Sequence, residues 1–273
     1  MKCKKNLKNW YLKMQRIRIK NIIKKKGKKP IVCLTAYSIT MAEILDKYCD
    51  IILVGDSLGM VLYGMKSTRE VKFETMINHA KAVKSHTKRS LVLFDMPYKT
   101  YVNKFIAYKN AKKVMRLTKC DGVKLEGGKK IINIVKYLTK KGIPVMGHIG
   151  LLPQYSKNYK IKGKNTIQKK KIIEDAILLS QSGVFAIVIE CVVESLAKKI
   201  TNIISVPTIG IGASKHCDGQ ILVTDDILGL SNTHPKFVKK YSDVKKIIEN
   251  SVKKYCKDVK SRKFPSDQNV YNL

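Results

Sequence analysis

Acid is scarce in this chain. Of 273 residues only 20 are Asp or Glu, against 55 Lys or Arg, and no acid precedes Glu43. Arginine is scarcer still: Arg16, Arg18, Arg69, Arg89, Arg116 and Arg262 are the whole set, so 49 of the cations are lysine. A net charge of +35 invites a nucleic-acid reading. Base and phosphate recognition, however, leans on arginine's rigid fork, and these lysines spread through nearly every expected helix and loop instead of gathering beside aromatics. They read as solvated surface, and no specific nucleic-acid partner is expected. None of the seven cysteines (Cys3, Cys33, Cys49, Cys120, Cys191, Cys217, Cys256) forms a C-x-x-C pair, which suits reduced thiols better than a disulfide framework or a zinc site. No apolar run approaches the ~18 residues of a membrane helix, and the N-terminus has no apolar signal region, so a cytoplasmic protein without a membrane partner is expected. No G-x-x-x-x-G-K-[ST] occurs, which leaves an NTPase reading without its phosphate cradle.

What is present is alternation. Apolar runs of strand length recur at even spacing: "PIVCLTAY" (30–37), "DIILVGD" (50–56), "SLVLFDM" (90–96), "GVKLEGG" (122–128), "IPVMGHIG" (143–150), "FAIVIEC" (185–191), "VPTIGIG" (206–212) and "QILVTDD" (220–226). Between them lie segments such as "FETMINHAKAVKSHTK" and "TIQKKKIIEDAILLSQSG", whose apolar residues fall three and four apart, as on one face of a helix. Eight strand-helix units without a linker or composition break predict an α/β fold, a single closed (β/α)8 TIM barrel, although the last unit has no obvious helix. An open doubly wound sheet would want a Gly-rich turn after its first strand, and "LTAYSITM" has none.

Four of these greasy runs deliver an acid at their tip: Asp56, Asp95, Glu126 and Glu190. His148 stands near the end of a fifth. In such barrels the reacting groups sit at the carboxyl ends of the strands, so these five residues are expected at one mouth. Lys124 and Glu126, two apart, both point inward, and Val123 and Leu125 face the helices. Each residue alone has a plainer reading: Asp56-Ser57 could start a helix, Lys124 with Glu126 could be a structural pair, and His148 could be a satisfied core histidine. The number of acids on one face is what argues for a site. Gathered carboxylates repel unless a cation sits among them, and oxygen-only donors point to Mg²⁺ rather than zinc. Cys191 is expected as a small packed residue facing away from Glu190, and His79 and His86, seven apart, as no metal pair.

The strings "LTAY", "LVGDSLGM", "FDMPY", "VKLEGG", "VMGHIGLLPQ", "VIECV", "ESLAKKI", "PTIGIGAS" and "CDGQILV" closely resemble the ketopantoate hydroxymethyltransferase family, in order and over nearly the whole chain. The resemblance implies a barrel of the phosphoenolpyruvate/pyruvate type over 17–258, between a Lys-rich extension (1–16), helical or disordered, and a C-terminal tail (259–273). It implies one Mg²⁺ per subunit and a homo-oligomer, a decamer of two pentameric rings. Asp56 and Asp95 would bind the metal, with Glu126 as a third metal-associated acid. Asp56, Ser57, Asp95 and Lys124 would hold the 2-oxo acid 3-methyl-2-oxobutanoate, with His148 in support. Glu190, which follows four apolar residues, would be the proton acceptor. The implied reaction moves a hydroxymethyl group from 5,10-methylenetetrahydrofolate through a Mg²⁺-stabilised enolate, giving ketopantoate for pantothenate synthesis.

This sequence departs from the family where the usual Asp after "LTAY" is Ser38, where Met65 follows Gly64, where Ser214 replaces a Gly, and in the shortened cationic loop Tyr155–Gly163. Two rivals stand beside this expectation: another Mg²⁺-dependent enolate-forming barrel, and a Lys-rich RNA-binding or catalytically inactive barrel.

Overall fold

The computed structural model describes residues 15–156, 159–231 and 235–271; most of the expected N-terminal extension lies outside them. Eight parallel strands close into a barrel in sequence order: β1 (Ile31–Thr35), β2 (Ile51–Val54), β3 (Leu91–Asp95), β4 (Gly122–Glu126), β5 (Val145–Gly150), β6 (Ala186–Glu190), β7 (Thr208–Ile211) and β8 (Gly219–Leu222). The helices are α1 (Ile19–Ile23), α2 (Ile39–Leu45), α3 (Leu58–Leu62), α4 (Phe73–Ser85), α5 (Lys104–Thr118), α6 (Ile132–Lys140), α7 (Thr166–Gln181) and α8 (Glu194–Ile203), then α9 (Thr224–Leu228) and α10 (Val244–Lys260). No helix stands between β7 and β8, as the short spacing foretold. The run 220–226 is only half strand: it stops at Leu222, and its "TDD" opens α9.

Period two sorts each strand's residues between two cores. Ile31, Cys33, Ile51, Leu53, Leu91, Leu93, Met146, Ala186, Val188, Ile209 and Ile221 fill the barrel interior, joined by Ile22 of α1 and by Phe185. Ile52, Val54, Val92, Phe94, Val123, Leu125, Ile187 and Ile189 pack outward with the helices. The helices take that face because their apolar residues are spaced for it: Met76, Ile77, Ala80 and Val83 are the buried set of α4, and Ala107, Ala111 and Val114 lead that of α5. Asn103 starts α5 by accepting from the backbone N–H of Phe105 and Ile106.

Acids at the amino ends of the strands do a different job from those at the carboxyl ends. Asp50, Asp121 and Asp218 each precede a strand and accept from the backbone of the strand before it, at Val32, Val92 and Thr208 respectively (3.0, 2.9 and 2.8 Å). Each is also paired with lysine: Lys25, Lys84 and Lys26. Asp218 further accepts from the Gly27 N–H and the Thr208 hydroxyl. Asp218→Ala would strand these donors, so we expect it to cost about 3 kcal/mol in denaturant unfolding without changing the site at the other end. A loss under about 1 kcal/mol would show that these contacts are not needed.

The chain divides into a unit that ends with β8 at Leu222 and a second unit from Val223. Within the second, α9 ends on left-handed Gly229, and the backbone N–H of Tyr241 bonds to Ile227 O. Asp243 caps α10 by accepting from Lys246 N–H, and none of the 17 residues of α10 is buried. Among the described residues, no helix is long and apolar enough to cross a membrane.

Candidate active site

The barrel register sets the site's side chains next to one another. Asp95 is aligned with Lys124 across β3 and β4, and Glu126 with His148 across β4 and β5. Because all four point inward, they meet in a row. Lys124 Nζ donates to both Asp95 oxygens at 2.7 Å and lies 3.7 Å from Glu126 Oε1. His148 Nδ1 is 3.5 Å from Glu126 Oε1, and its Nε2 is 3.2 Å from Glu190 Oε2. Neither ring nitrogen is well aligned for a hydrogen bond at these separations. Asp56, one residue past the β2–Gly55 end, closes the row: its N–H points at Asp95 Oδ2 at 3.4 Å. Thus the structure brings Asp56, Asp95, Lys124, Glu126, His148 and Glu190 into one chain of contacts. Glu190 has a charged neighbour in His148 where the sequence suggested apolar surroundings alone. Ser57 is at hand as well, at the start of α3. Its hydroxyl makes no cap and pairs instead with Tyr37 Oη at 2.8 Å.

Burial and crowding set the charges. Asp56 is 4% exposed, and burial, with the charges of Asp95 and Glu126, holds its carboxyl well above the usual range. Burial also raises Asp95, against the pull of Lys124. Burial alone would raise Glu126 too, but His148 and Lys124 bring it below its ordinary value. Lys124 is raised despite burial, by Asp95, Glu126 and Asp56. His148 is likewise pushed up to about 9, because Glu126 and Glu190 outweigh its burial.

Two residues that sequence reasoning missed complete the site. Gln154, wholly buried in the turn after β5, donates from Nε2 to Asp56 Oδ2 at 2.8 Å and to Met96 O at 3.0 Å, and from its backbone N–H to Glu126 Oε2 at 3.0 Å. Tyr101 Oη donates to Gln154 Oε1 at 2.5 Å. The signals were slight: Gln154 ends the family-like string "VMGHIGLLPQ" directly after β5, with nothing in it to mark a role, and Tyr101 falls six residues past Asp95. Gly150 makes the turn possible, with φ at +93° and a backbone so close that a Cβ would lie 2.3 Å from Glu190 O.

Other candidates fall away. His79 bonds Tyr37 O at 2.7 Å and Tyr63 Oη at 2.9 Å, a structural histidine. Burial and Glu190 push the Cys191 thiol up to about 11, which leaves it no thiolate near neutrality. The six described cysteines are free. Two departures keep local chemistry: Ser38 caps α2 by accepting from Met41 N–H, and Ser214 Oγ donates to Glu194.

A divalent cation fits the donor set. Two buried carboxylates with raised affinity for positive charge lie side by side, and Glu126 Oε1 is buried without a hydrogen bond. As they stand, no three His, Cys, Asp or Glu among the described residues enclose an ion. Mg²⁺ is commonly held by one or two carboxylates while water and substrate oxygens fill its remaining positions.

The model of one family, ketopantoate hydroxymethyltransferase, matches residues 16–267. The chain belongs to that family. A 3-methyl-2-oxobutanoate hydroxymethyltransferase of Pelagibacter ubique (strain HTCC1062) is 54% identical over 254 residues, covering 93% of this chain and 99% of that protein. The same enzyme of Anaplasma marginale (strain Florida) is 47% identical, covering 94% of each. Membership makes the chain an enzyme, a hydroxymethyltransferase. Among solved structures, phosphonopyruvate hydrolase superposes with a TM-score of 0.64 at 8% identity, covering 94% of this chain and 92% of that one. A 2,3-dimethylmalate lyase described as a PEP mutase/isocitrate lyase superfamily member gives 0.56 at 9%, covering 93% and 91%. At such identities the likeness concerns the fold alone, a closed barrel of parallel strands.

Proposed function

We propose that this hydroxymethyltransferase makes ketopantoate, a step of pantothenate and coenzyme A synthesis, by moving a one-carbon unit from 5,10-methylenetetrahydrofolate to 3-methyl-2-oxobutanoate. The observation that carries the reading is the continuous row of charged groups from Asp56 to Glu190, with a cation-seeking end and a proton-accepting end. Asp56 and Asp95, with Glu126 behind them, would hold Mg²⁺. When bound, the ion supplies Lewis-acid polarisation of the keto group, which acidifies the neighbouring C3–H.

The remaining work falls to the chain. Lys124, fixed as a cation, steadies the substrate carboxylate or the charge that develops on the keto oxygen. Ser57, held by Tyr37, donates to the same oxo acid. Glu190, at 14% side-chain exposure, lies between the buried row and the mouth and takes the C3 proton. His148 holds that carboxylate by charge from behind. Water frees the donor's methylene carbon from both nitrogens as formaldehyde while tetrahydrofolate leaves; the carbon nucleophile then adds to that carbonyl carbon, and its oxygen, which came from the water, is protonated to the new hydroxyl. Tyr98 and Tyr155, 5.6 Å apart edge to face with Arg69 4.5 Å above Tyr98, offer a flat ring and an acidic tail a suitable landing. A homodecamer and a cytoplasmic setting belong to the same proposal.

Purified protein given both substrates and Mg²⁺ should form ketopantoate and tetrahydrofolate in equal amounts, seen by NMR and absorbance, and EDTA should stop it. Turnover of the oxo acid to a different product would favour another enolate-forming barrel chemistry.

A further inference from the structure

We infer that Gln154 is a positioning residue that presets the metal-binding carboxylates, and that Tyr101 fixes the rotation of its amide. The inference rests on the proposed Mg²⁺ site. β2 and β4 are not neighbours, since β3 runs between them, yet Gln154 joins acids from both: its side chain holds Asp56 Oδ2 and its backbone holds Glu126 Oε2. The second amide hydrogen goes to Met96 O, just past β3. One buried residue from the loop after β5 therefore ties together the carboxyl ends of three strands.

The sense of the amide is determined by its partners. Met96 O can only accept, so the atom 3.0 Å from it is the NH₂ group and the oxygen must face Tyr101. Tyr101 is itself 2% exposed and donates to that oxygen. With both amide hydrogens donated and the oxygen accepting from Tyr101, three bonds fix the carboxamide's rotation, and the backbone N–H adds a fourth bond from the same residue.

The neutrality of the donor matters. On Asp95 the fixing group is the Lys124 ammonium, which cancels the charge it holds. On Asp56 it is a neutral amide, which fixes the carboxylate's direction and leaves its charge for a cation. Occupation of Oδ2 also leaves Oδ1 as the oxygen to offer. Partners behind metal ligands commonly contribute 10- to 100-fold in affinity by this kind of orientation.

Mn²⁺ titration of substrate-free protein, followed by the EPR signal of the free ion, tests this without turnover. Gln154→Leu should weaken Mn²⁺ binding about tenfold, and Tyr101→Phe, which keeps the ring and removes one hydroxyl, about threefold. In turnover assays both should raise the metal concentration needed for half-maximal rate by more than they lower kcat. Melting of the metal-free proteins separates a packing role, which would lower stability and leave the folded protein's Mn²⁺ affinity alone. If Gln154→Leu fails to fold, Tyr101→Phe decides the matter. Variants that bind Mn²⁺ within twofold of the unmodified protein overturn the inference while the metal site stands. An unmodified protein that takes up no Mn²⁺ removes the metal site and the inference with it.

Discussion

Asp56→Asn is expected to make the metal-free protein more stable and nearly inactive. Asp56 is buried beside Asp95 and Glu126, and its carboxyl is held well above the ordinary range. A carboxyl with a raised folded-state pKa contributes stability only while protonated. That contribution is complete below the unfolded value of about 3.9 and is lost as pH rises through the folded value. At neutral pH the aspartate is therefore a burden that asparagine relieves. The amide oxygen of asparagine still accepts from Gln154 Nε2, so the packing survives. A gain of about 1 to 2 kcal/mol would raise the melting temperature by roughly 4 °C in EDTA. Turnover should fall at least about 10³-fold, because the anchor for the Lewis acid has lost its charge. Calorimetry and the ketopantoate assay check the two halves. A lower melting temperature would mean that Asp56 is a structural acid, and retained turnover would take it out of the reaction.

His148→Gln is expected to flatten the alkaline loss of stability. His148 is raised to about 9 by Glu126 and Glu190, against the effect of its burial. For a group raised in the folded state, the added stability is full below the unfolded pKa of about 6.5 and disappears as pH climbs through about 9. The window is thus pH 6.5 to 9, and the shift corresponds to about 3 kcal/mol. Denaturant unfolding in EDTA across that window should show the unmodified protein losing stability that the variant never had. Cysteine ionisation in the unfolded chain affects both proteins alike, so the difference between the curves isolates His148. Parallel curves would mean that the imidazole is neutral in the folded chain. Turnover of the variant should fall as well, since Glu190 loses the charge that holds it.

The barrel was legible because closure imposes two regular demands on the sequence. Strands buried on both faces must be apolar throughout, and the helices between them need an apolar stripe three and four apart. All eight runs became strands on that basis. Several runs outlast their strands by a residue or two, and 220–226 overshoots furthest: it kept its apolar character into Val223 while Thr224, Asp225 and Asp226 began a helix, a boundary that composition does not mark. The acids at the strand tips were legible for a reason of direction. Asp50, Asp121 and Asp218 also touch apolar runs, but they precede them, and in a parallel barrel that sends them to the opposite end, where they bind backbone and lysine.

Gln154 and Tyr101 were not legible. Glutamine and tyrosine in loops are ordinarily exposed, and nothing local to "LLPQY" or "YKTYV" says that two loops from different strands will bury them against each other. Their roles arise from contacts between residues 53 positions apart, which appear only when the barrel closes. The charge in Glu190's setting was hidden for the same reason: Ile187 and Ile189 before it face outward, Ala186 and Val188 lie deeper in the barrel, and its charged neighbour in space is His148 on the adjoining strand.

Proton exchange at C3 of 3-methyl-2-oxobutanoate in D₂O, followed by NMR without any folate, tests the central claim most directly. The site should exchange that hydrogen when Mg²⁺ is present, fail to do so in EDTA, and slow about 10³-fold in Glu190→Gln. Exchange that is absent in the unmodified protein, indifferent to Mg²⁺, or equally fast in Glu190→Gln would contradict it.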